Sequence, residues 1–276
     1  MTVFVKLTLA VLVAYLLLLF FLWKMQDNLV FPGPHFPLPA PAEAGLLGEL
    51  VSVTAEDGTE LRGWFLPPAD STEAPQGFPT LVWFYGNMEG IGVLEAVFKE
   101  FRPPNMALFV MDYRGYGGSD GSPSERALLK DVDAVWNYVT ARDDVDTTRM
   151  AIYGRSIGSV FALYAAEQFP VRAVVLDSPL SNARDMAARH YKLVPRFLLH
   201  LELDNLARAH NITAPLLVLH GSNDFIAPVD MGRAVAEAGR ARELVIFEGA
   251  GHNDLYDAEP ERYRTAVHDF LNSTVF

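Results

Sequence analysis

The run Ala151-Ile152-Tyr153-Gly154-Arg155-Ser156-Ile157-Gly158-Ser159 stands between a strand-like stretch and a helix-like one. A serine carried on a very tight strand-to-helix turn needs near-absent side chains two residues before and two after it, or the turn clashes. Gly154 and Gly158 meet that need, so Ser156 is a candidate nucleophile. Alone, the five-residue pattern is a weak signal, because small residues recur in ordinary turns. The surrounding chain decides its meaning.

Outward from this turn, compact apolar runs at residues 80–85, 107–111, 150–153, 173–176, 216–220 and 244–247 predict strands. Their continuous hydrophobicity suits strands covered on both faces, as in a parallel sheet. Helical patterns occupy residues 90–101, 124–141, 156–168, 229–238 and 259–271. Upstream, residues 50–54 and 61–66 read as a hairpin, with Glu56-Asp57-Gly58-Thr59 supplying its turn. An opening antiparallel pair followed by repeated strand and helix predicts an α/β fold with helices on both sides of the sheet. Residues 180–211 break the alternation, being longer than a simple crossover needs, with Pro195 dividing their apolar content. They read as a small helical insertion over the carboxyl edge of the sheet, either a lid or a plain surface helix pair.

At 276 residues, half of them hydrophobic, the chain can fill one large α/β domain or two small ones. The net charge of −12 gives a field that repels phosphate backbones, which argues against nucleic acid as a partner. The absence of cysteine excludes disulfides, a thiolate nucleophile and cysteine metal sites.

The amino-terminal end departs from an ordinary water-soluble chain. Residues 7–23, LTLAVLVAYLLLLFFLW, carry no charge and, with the residues before Lys6, can cross most of a hydrocarbon core as a helix. The run is apolar all round, unlike an amphipathic core helix, and Trp23-Lys24-Met25-Gln26-Asp27 offers no small-x-small cleavage site. The expected plan is a transmembrane signal anchor at 2–24, a proline-rich tether at 25–48 running extended, and an α/β domain at 49–276 with the insertion at about 180–211. Lys6 and Lys24 flank the anchor symmetrically, so the short amino-terminal tail sets the expected orientation, with the domain on the non-cytoplasmic side.

A serine hydroxyl becomes a useful nucleophile at neutral pH when a histidine accepts its proton and an acid orients that histidine. Of seven histidines, His252 in Gly249-Ala250-Gly251-His252-Asn253-Asp254 directly follows the last strand pattern, where a loop can carry an imidazole over the strand ends. His220 ends a strand before Gly221 and reads as a turn-shaping, hydrogen-bonded residue. The acid should follow another strand, between serine and histidine in chain order. Asp224, in His220-Gly221-Ser222-Asn223-Asp224, takes that place ahead of its rival Asp177, which can equally be a helix or turn cap. A tetrahedral intermediate needs two backbone N–H donors. Ile157 follows the nucleophile and supplies one; the other should come from Tyr85-Gly86-Asn87-Met88-Glu89-Gly90, with Asn87 the first choice and Met88 the second. Asp112-Tyr113-Arg114-Gly115-Tyr116-Gly117-Gly118-Ser119 lacks the spacing of a phosphate or dinucleotide loop and reads as a sharp turn framing the pocket.

Taken in order, Tyr85-Gly86-Asn87, Asp112-Tyr113-Arg114-Gly115-Tyr116-Gly117, Gly154-Arg155-Ser156-Ile157-Gly158, His220-Gly221-Ser222-Asn223-Asp224 and Gly251-His252-Asn253-Asp254 resemble the α/β-hydrolase superfamily, in particular its membrane-anchored serine hydrolases. The resemblance covers residues 46–271. It implies an eight-stranded, mostly parallel sheet and hydrolysis of esters, thioesters or amides without a cofactor or metal, on a small acyl or lipid substrate. Tyr85-Gly86 stands where the family commonly has His-Gly, which puts the hydrogen bonds of the oxyanion loop in question. Two other readings stand beside esterase chemistry: an aminopeptidase-like enzyme using Glu89 or Glu202 for the substrate amine, and a non-catalytic hydrolase-like binding protein.

Overall fold

The predicted hairpin forms as β1 (Glu49–Thr54) and β2 (Glu60–Leu66), with Val51 opposite Gly63. Glycine is required at 63, since a Cβ there would lie 2.2 Å from the Val110 carbonyl oxygen on a neighbouring strand. In this computed structural model, which describes residues 3–68 and 76–276, the sheet continues through β3 (Phe78–Phe84), β4 (Ala107–Met111), β5 (Val145–Arg155), β6 (Ala173–Asp177), β7 (Leu216–Gly221) and β8 (Glu243–Phe247). The spatial order is β1-β2-β4-β3-β5-β6-β7-β8. Strand β2 is antiparallel to both its neighbours and every later pairing is parallel. The chain winds from β3 outward to β4, then returns to place β5 on the other side of β3. That reversal opens a crevice at the carboxyl ends of β3 and β5, the usual place for a ligand in such sheets.

The helices are α1 (Val3–Lys24), α2 (Gln26–Val30), α3 (Ile91–Phe101), α4 (Glu125–Thr140), α5 (Gly158–Gln168), α6 (Ala183–His190), α7 (Asn205–Asn211), α8 (Val229–Ala238), α9 (Leu255–Ala258) and α10 (Pro260–Val275). Alternation along the strands assigns them to faces. Trp83 stacks on Tyr153 at 3.8 Å and meets Phe98 and Phe101 of α3, and Phe101 meets Tyr263 of α10. The next residue, Phe84, turns the other way and meets Phe161 of α5. Such buried aromatic side chains contribute about 1.5–3 kcal/mol each through area removed from water. Ser124 caps α4 by accepting the Ala127 N–H.

Two departures from the predicted elements have local causes. Strand β5 begins at Val145, five residues before the apolar run, because Val145 pairs with Phe78 across a register shift and carries the polar stretch 146–149 into the ladder. The residues expected to run as an extended tether begin with the short helix α2, after which the chain lies over the domain. There Phe31 is buried near the Phe161 ring, the Trp64 indole N–H donates to Pro39 O at 2.9 Å, and Gly117 N–H donates to Pro34 O at 3.0 Å. Within residues 180–211, α6 and α7 are joined through a single 3-10 turn at Arg196–Leu198. Asn205 of α7, fully buried, ties this segment down by donating to Ser159 Oγ at 2.7 Å and Leu180 O at 2.8 Å.

Helix α1 is about 33 Å long at 1.5 Å per residue, long and apolar enough to cross a membrane. Residue 2 of the predicted span lies outside the described residues.

Candidate active site

Strand β5 ends at Arg155, and the chain reverses into α5 within two residues. Ser156 sits in the turn with φ +50°, in the left-handed region that a side chain adopts only under constraint. Its N–H donates to Asp177 O at 2.8 Å, which fixes the turn to the end of β6. The flanking glycines are steric necessities. A Cβ on Gly154 would lie 2.5 Å from Ala162 Cβ, and one on Gly158 would lie 2.2 Å from Phe84 O.

Three strand ends converge above this turn. His252, in the loop after β8, places Nε2 2.7 Å from Ser156 Oγ, where it can accept the hydroxyl proton. Its Nδ1 stands 2.6 Å from Asp224 Oδ2, in the loop after β7. Asp224 is itself held, because Oδ1 accepts the Ile226 and Ala227 N–H groups, each at 2.8 Å. Burial works to raise the Asp224 carboxyl, but hydrogen bonds from His220 and His252 and the Ala227 N–H outweigh it and leave it well below the usual carboxylate range. It is therefore an anion at neutral pH.

His220 is fully buried, with Nε2 2.7 Å from Ala227 O and 3.3 Å from Asp224 Oδ2. It shapes the 221–227 turn, as its place in the sequence suggests, and adds a second imidazole beside Asp224. Asp177 has different partners. Its Oδ2 accepts from Tyr153 Oη at 3.0 Å and Tyr263 Oη at 2.7 Å, and its Oδ1 accepts from Ser178 Oγ at 2.8 Å. It underpins the turn from below and makes no hydrogen bond to His252.

Among the described residues, the N–H groups of Ile157 and Asn87 donate to no protein acceptor. The Met88 N–H is engaged by Asn87 Oδ1 at 2.9 Å, and the Asn87 side chain also donates to Val30 O at 2.8 Å. The loop that bears Asn87 is braced from behind. Tyr85 Oη donates to the buried Asp112 Oδ1 at 3.0 Å, and Tyr113 Oη donates to Tyr85 O at 2.7 Å. Asp112 also accepts the Ile91 and Gly118 N–H groups. Thus the hydrogen bonds of this loop are made with tyrosine at position 85, and the 112–119 turn serves as its brace.

Sequence reasoning missed Arg155, whose guanidinium pairs with Glu89 and donates to His252 O at 3.2 Å and Asn253 Oδ1 at 2.8 Å. The variable second position of the glycine-serine pattern carries no signal for such a role, since the partners lie 66 to 98 residues away in the chain. Among the described residues, no group of three or more His, Asp or Glu side chains is arranged to hold a metal ion.

A cavity of about 570 Å³ opens beside Ser156 and Ile157, walled by apolar side chains that include Leu180, Met186, Leu199 and Ile226. On the other side of His252 lies a second cavity of about 370 Å³, which Asn87 shares and into which Arg155 and Asp257 contribute polar groups. Asn87 lines both cavities, Ser156 only the larger one and His252 only the smaller.

Comparison with known proteins agrees with this architecture. Residues 79–203 match the family described as serine aminopeptidase, S33. An uncharacterized protein of Mycobacterium tuberculosis is 32% identical over 92% of this chain and 90% of its own length. Alpha/beta hydrolase domain-containing protein 17B of Xenopus tropicalis is 33% identical over 70% of this chain and 68% of its own length. Among solved structures, an esterase of Pyrococcus furiosus superposes with a TM-score of 0.70 at 20% identity, covering 88% of this chain and 99% of that one, a likeness of fold. The chain belongs to the α/β-hydrolase superfamily.

Proposed function

We propose that this hydrolase is a membrane-anchored serine esterase or thioesterase that acts on acyl, lipid-like substrates through Ser156, His252 and Asp224. The hydrogen-bonded series from Asp224 through His252 to Ser156 Oγ, beside an apolar cavity, is the observation that carries this reading. Ser156 Oγ attacks the acyl carbonyl as its proton passes to His252 Nε2, and Asp224 stabilises the imidazolium so formed. The Ile157 and Asn87 N–H groups hold the developing oxyanion. Collapse breaks the bond to the leaving alcohol or thiol, which takes its proton from His252. Water, activated by the same imidazole, then hydrolyses the acyl-enzyme and regenerates Ser156.

Ester chemistry is favoured over aminopeptidase chemistry by the acids near the site. The Glu89 carboxylate is already engaged by Arg155 and the Gly86 N–H, and Glu202 lies exposed away from both cavities. Glu89 lines the cavity beside His252, but with its charge already offset by Arg155 it offers a substrate amine less than a free carboxylate would. A non-catalytic role would leave no reason for His252 and Asp224 to be held in this alignment.

The test is a fluorophosphonate label together with a panel of acyl esters, acyl thioesters and aminoacyl amides, used on the full chain in detergent. The expected outcome is stoichiometric labelling and turnover of esters or thioesters at least about a hundredfold above amides. Preferential amide turnover would establish the peptidase reading, and failure to label would remove the nucleophile. The anchor is proposed to hold the domain on the non-cytoplasmic side, so protease added outside intact cells should digest the domain.

A further inference from the structure

The cavity beside Ser156 has a wall that the hydrolase domain does not supply. Leu22 and Trp23 of α1, then Gln26 and Leu29 of α2, close one side of it. The apolar anchor is thus continuous with the candidate acyl pocket.

The anchor is also tied to the insertion at two heights. Near its polar end, Gln26 Nε2 donates to Leu198 O at 2.7 Å and the His200 N–H donates to Gln26 Oε1 at 3.0 Å. Deeper, Tyr15 Oη donates to Leu193 O at 2.7 Å. Tyr15 precedes Lys24 by nine residues, so this contact lies roughly 13 Å down the helix, at 1.5 Å per residue. A bend that reaches this depth beside a membrane-crossing helix is itself in the membrane. Its side chains agree with that position, because Leu193 and Phe197 are 83% and 85% exposed and Tyr191 is exposed beside them.

Charge points the same way. Between residues 183 and 200 the chain carries Arg184, Arg189, Lys192 and Arg196 against the single acid Asp185, in a protein of net charge −12. All four basic residues are exposed, and among the described residues none makes an ion pair. Exposed apolar residues interleaved with unpaired cations suit a segment at the membrane interface, where Lys and Arg stems reach back to the headgroups.

We propose that the site is fed directly from the bilayer. Residues 191–199 dip into the membrane beside α1, and a single-chain acyl ester lipid moves laterally between them. Its tail lies along Leu22, Leu29, Met186 and Leu199, its carbonyl reaches Ser156, and its small alcohol portion occupies the cavity beside Arg155. The assignment of ester and leaving group rests on the hydrolase reading above, and the depth of the bend rests on the membrane anchor proposed with it, not on the catalysis.

Because the chain has no cysteine, single labels are unambiguous. The full chain carrying Leu193→Cys, labelled with an environment-sensitive nitrobenzoxadiazole probe, is reconstituted into vesicles of anionic and zwitterionic phospholipid. Arg242→Cys, exposed at the amino end of β8 on the opposite edge of the sheet, is the control. Doxyl-labelled lipid is expected to cut the emission at 193 to about half or less and to leave that at 242 unchanged. In parallel, kcat/KM is measured on a vesicle-embedded long-chain monoacyl ester and on a water-soluble acetyl ester. Leu22→Trp, which fills the wall, and Leu193→Glu with Phe197→Glu, which puts charge in the bend, should each lower the long-to-short ratio about tenfold or more. Quenching of position 193 by aqueous iodide instead of by lipid overturns the proposal, and so does an unchanged ratio in both variants. Turnover of neither ester by the wild-type chain, with 193 still quenched by lipid, supports the immersed bend and removes the hydrolase reading alone.

Discussion

Ser156→Ala is expected to lower kcat by about 10^4 to 10^6-fold on every acyl ester that the wild-type chain hydrolyses, and to abolish fluorophosphonate labelling. The loss should fall on kcat with KM little changed, because the cavity beside Ser156 is walled mainly by other side chains. Residual turnover would come from the Ile157 and Asn87 N–H groups, which remain to polarise a carbonyl for attack by water. Stability separates function from architecture at the same position. With φ at +50°, alanine keeps the constraint that serine bears, whereas glycine adopts this conformation without a Cβ clash. Ser156→Gly should therefore be more stable to urea than Ser156→Ala by about 1 kcal/mol, although both lose nearly all activity. Equal stability of the two variants would mean that the turn is not strained. Retained labelling in either would place the nucleophile elsewhere.

The alternation of apolar runs and helical patterns made the sheet legible, because strands buried on both faces must be continuously hydrophobic and helices that cover them must be amphipathic. It failed where backbone pairing, not side-chain burial, decided the element. The polar stretch 146–149 lies in β5 only because Val145 finds Phe78 across a register shift. The positions of Ser156, Asp224 and His252 were readable because a tight turn demands glycines and the chemistry demands an order along the chain. Which of the Asn87 and Met88 N–H groups is left without a protein acceptor was not, since it turns on one hydrogen bond from Met88 N–H to Asn87 Oδ1. Nor could any local pattern show that the end of α1 walls the cavity. A residue that faces lipid and one that faces an acyl pocket are equally apolar, so Leu22 and Leu29 carry no mark to distinguish them from the rest of the anchor.

The identity of the acid is the second point where a large effect is expected. Asp224→Asn keeps a carbonyl oxygen for the Ile226 and Ala227 N–H groups, so the loop after β7 should fold as before. Its amide nitrogen, however, then faces His252 Nδ1. Two donors cannot share that 2.6 Å contact, and the imidazole relieves the conflict by moving its proton to Nε2. There it opposes the Ser156 hydroxyl instead of accepting its proton, and kcat should fall by about 10^4-fold. The electrostatic loss acts in the same direction, because the Asp224 carboxyl, held below its usual range, is the anion that offsets the imidazolium. A carboxyl lowered in this way stabilises the fold at neutral pH, and the contribution is lost as pH falls through its folded value. Asp177→Asn should behave in the opposite sense. Its carboxylate accepts from Tyr153, Tyr263 and Ser178, so the substitution costs about 1–3 kcal/mol of stability, while kcat stays within about tenfold of wild type because His252 is untouched. Urea denaturation and steady-state kinetics on the same two variants decide the matter. A collapse of kcat in Asp177→Asn with near-normal turnover in Asp224→Asn would transfer the acid's role to the end of β6.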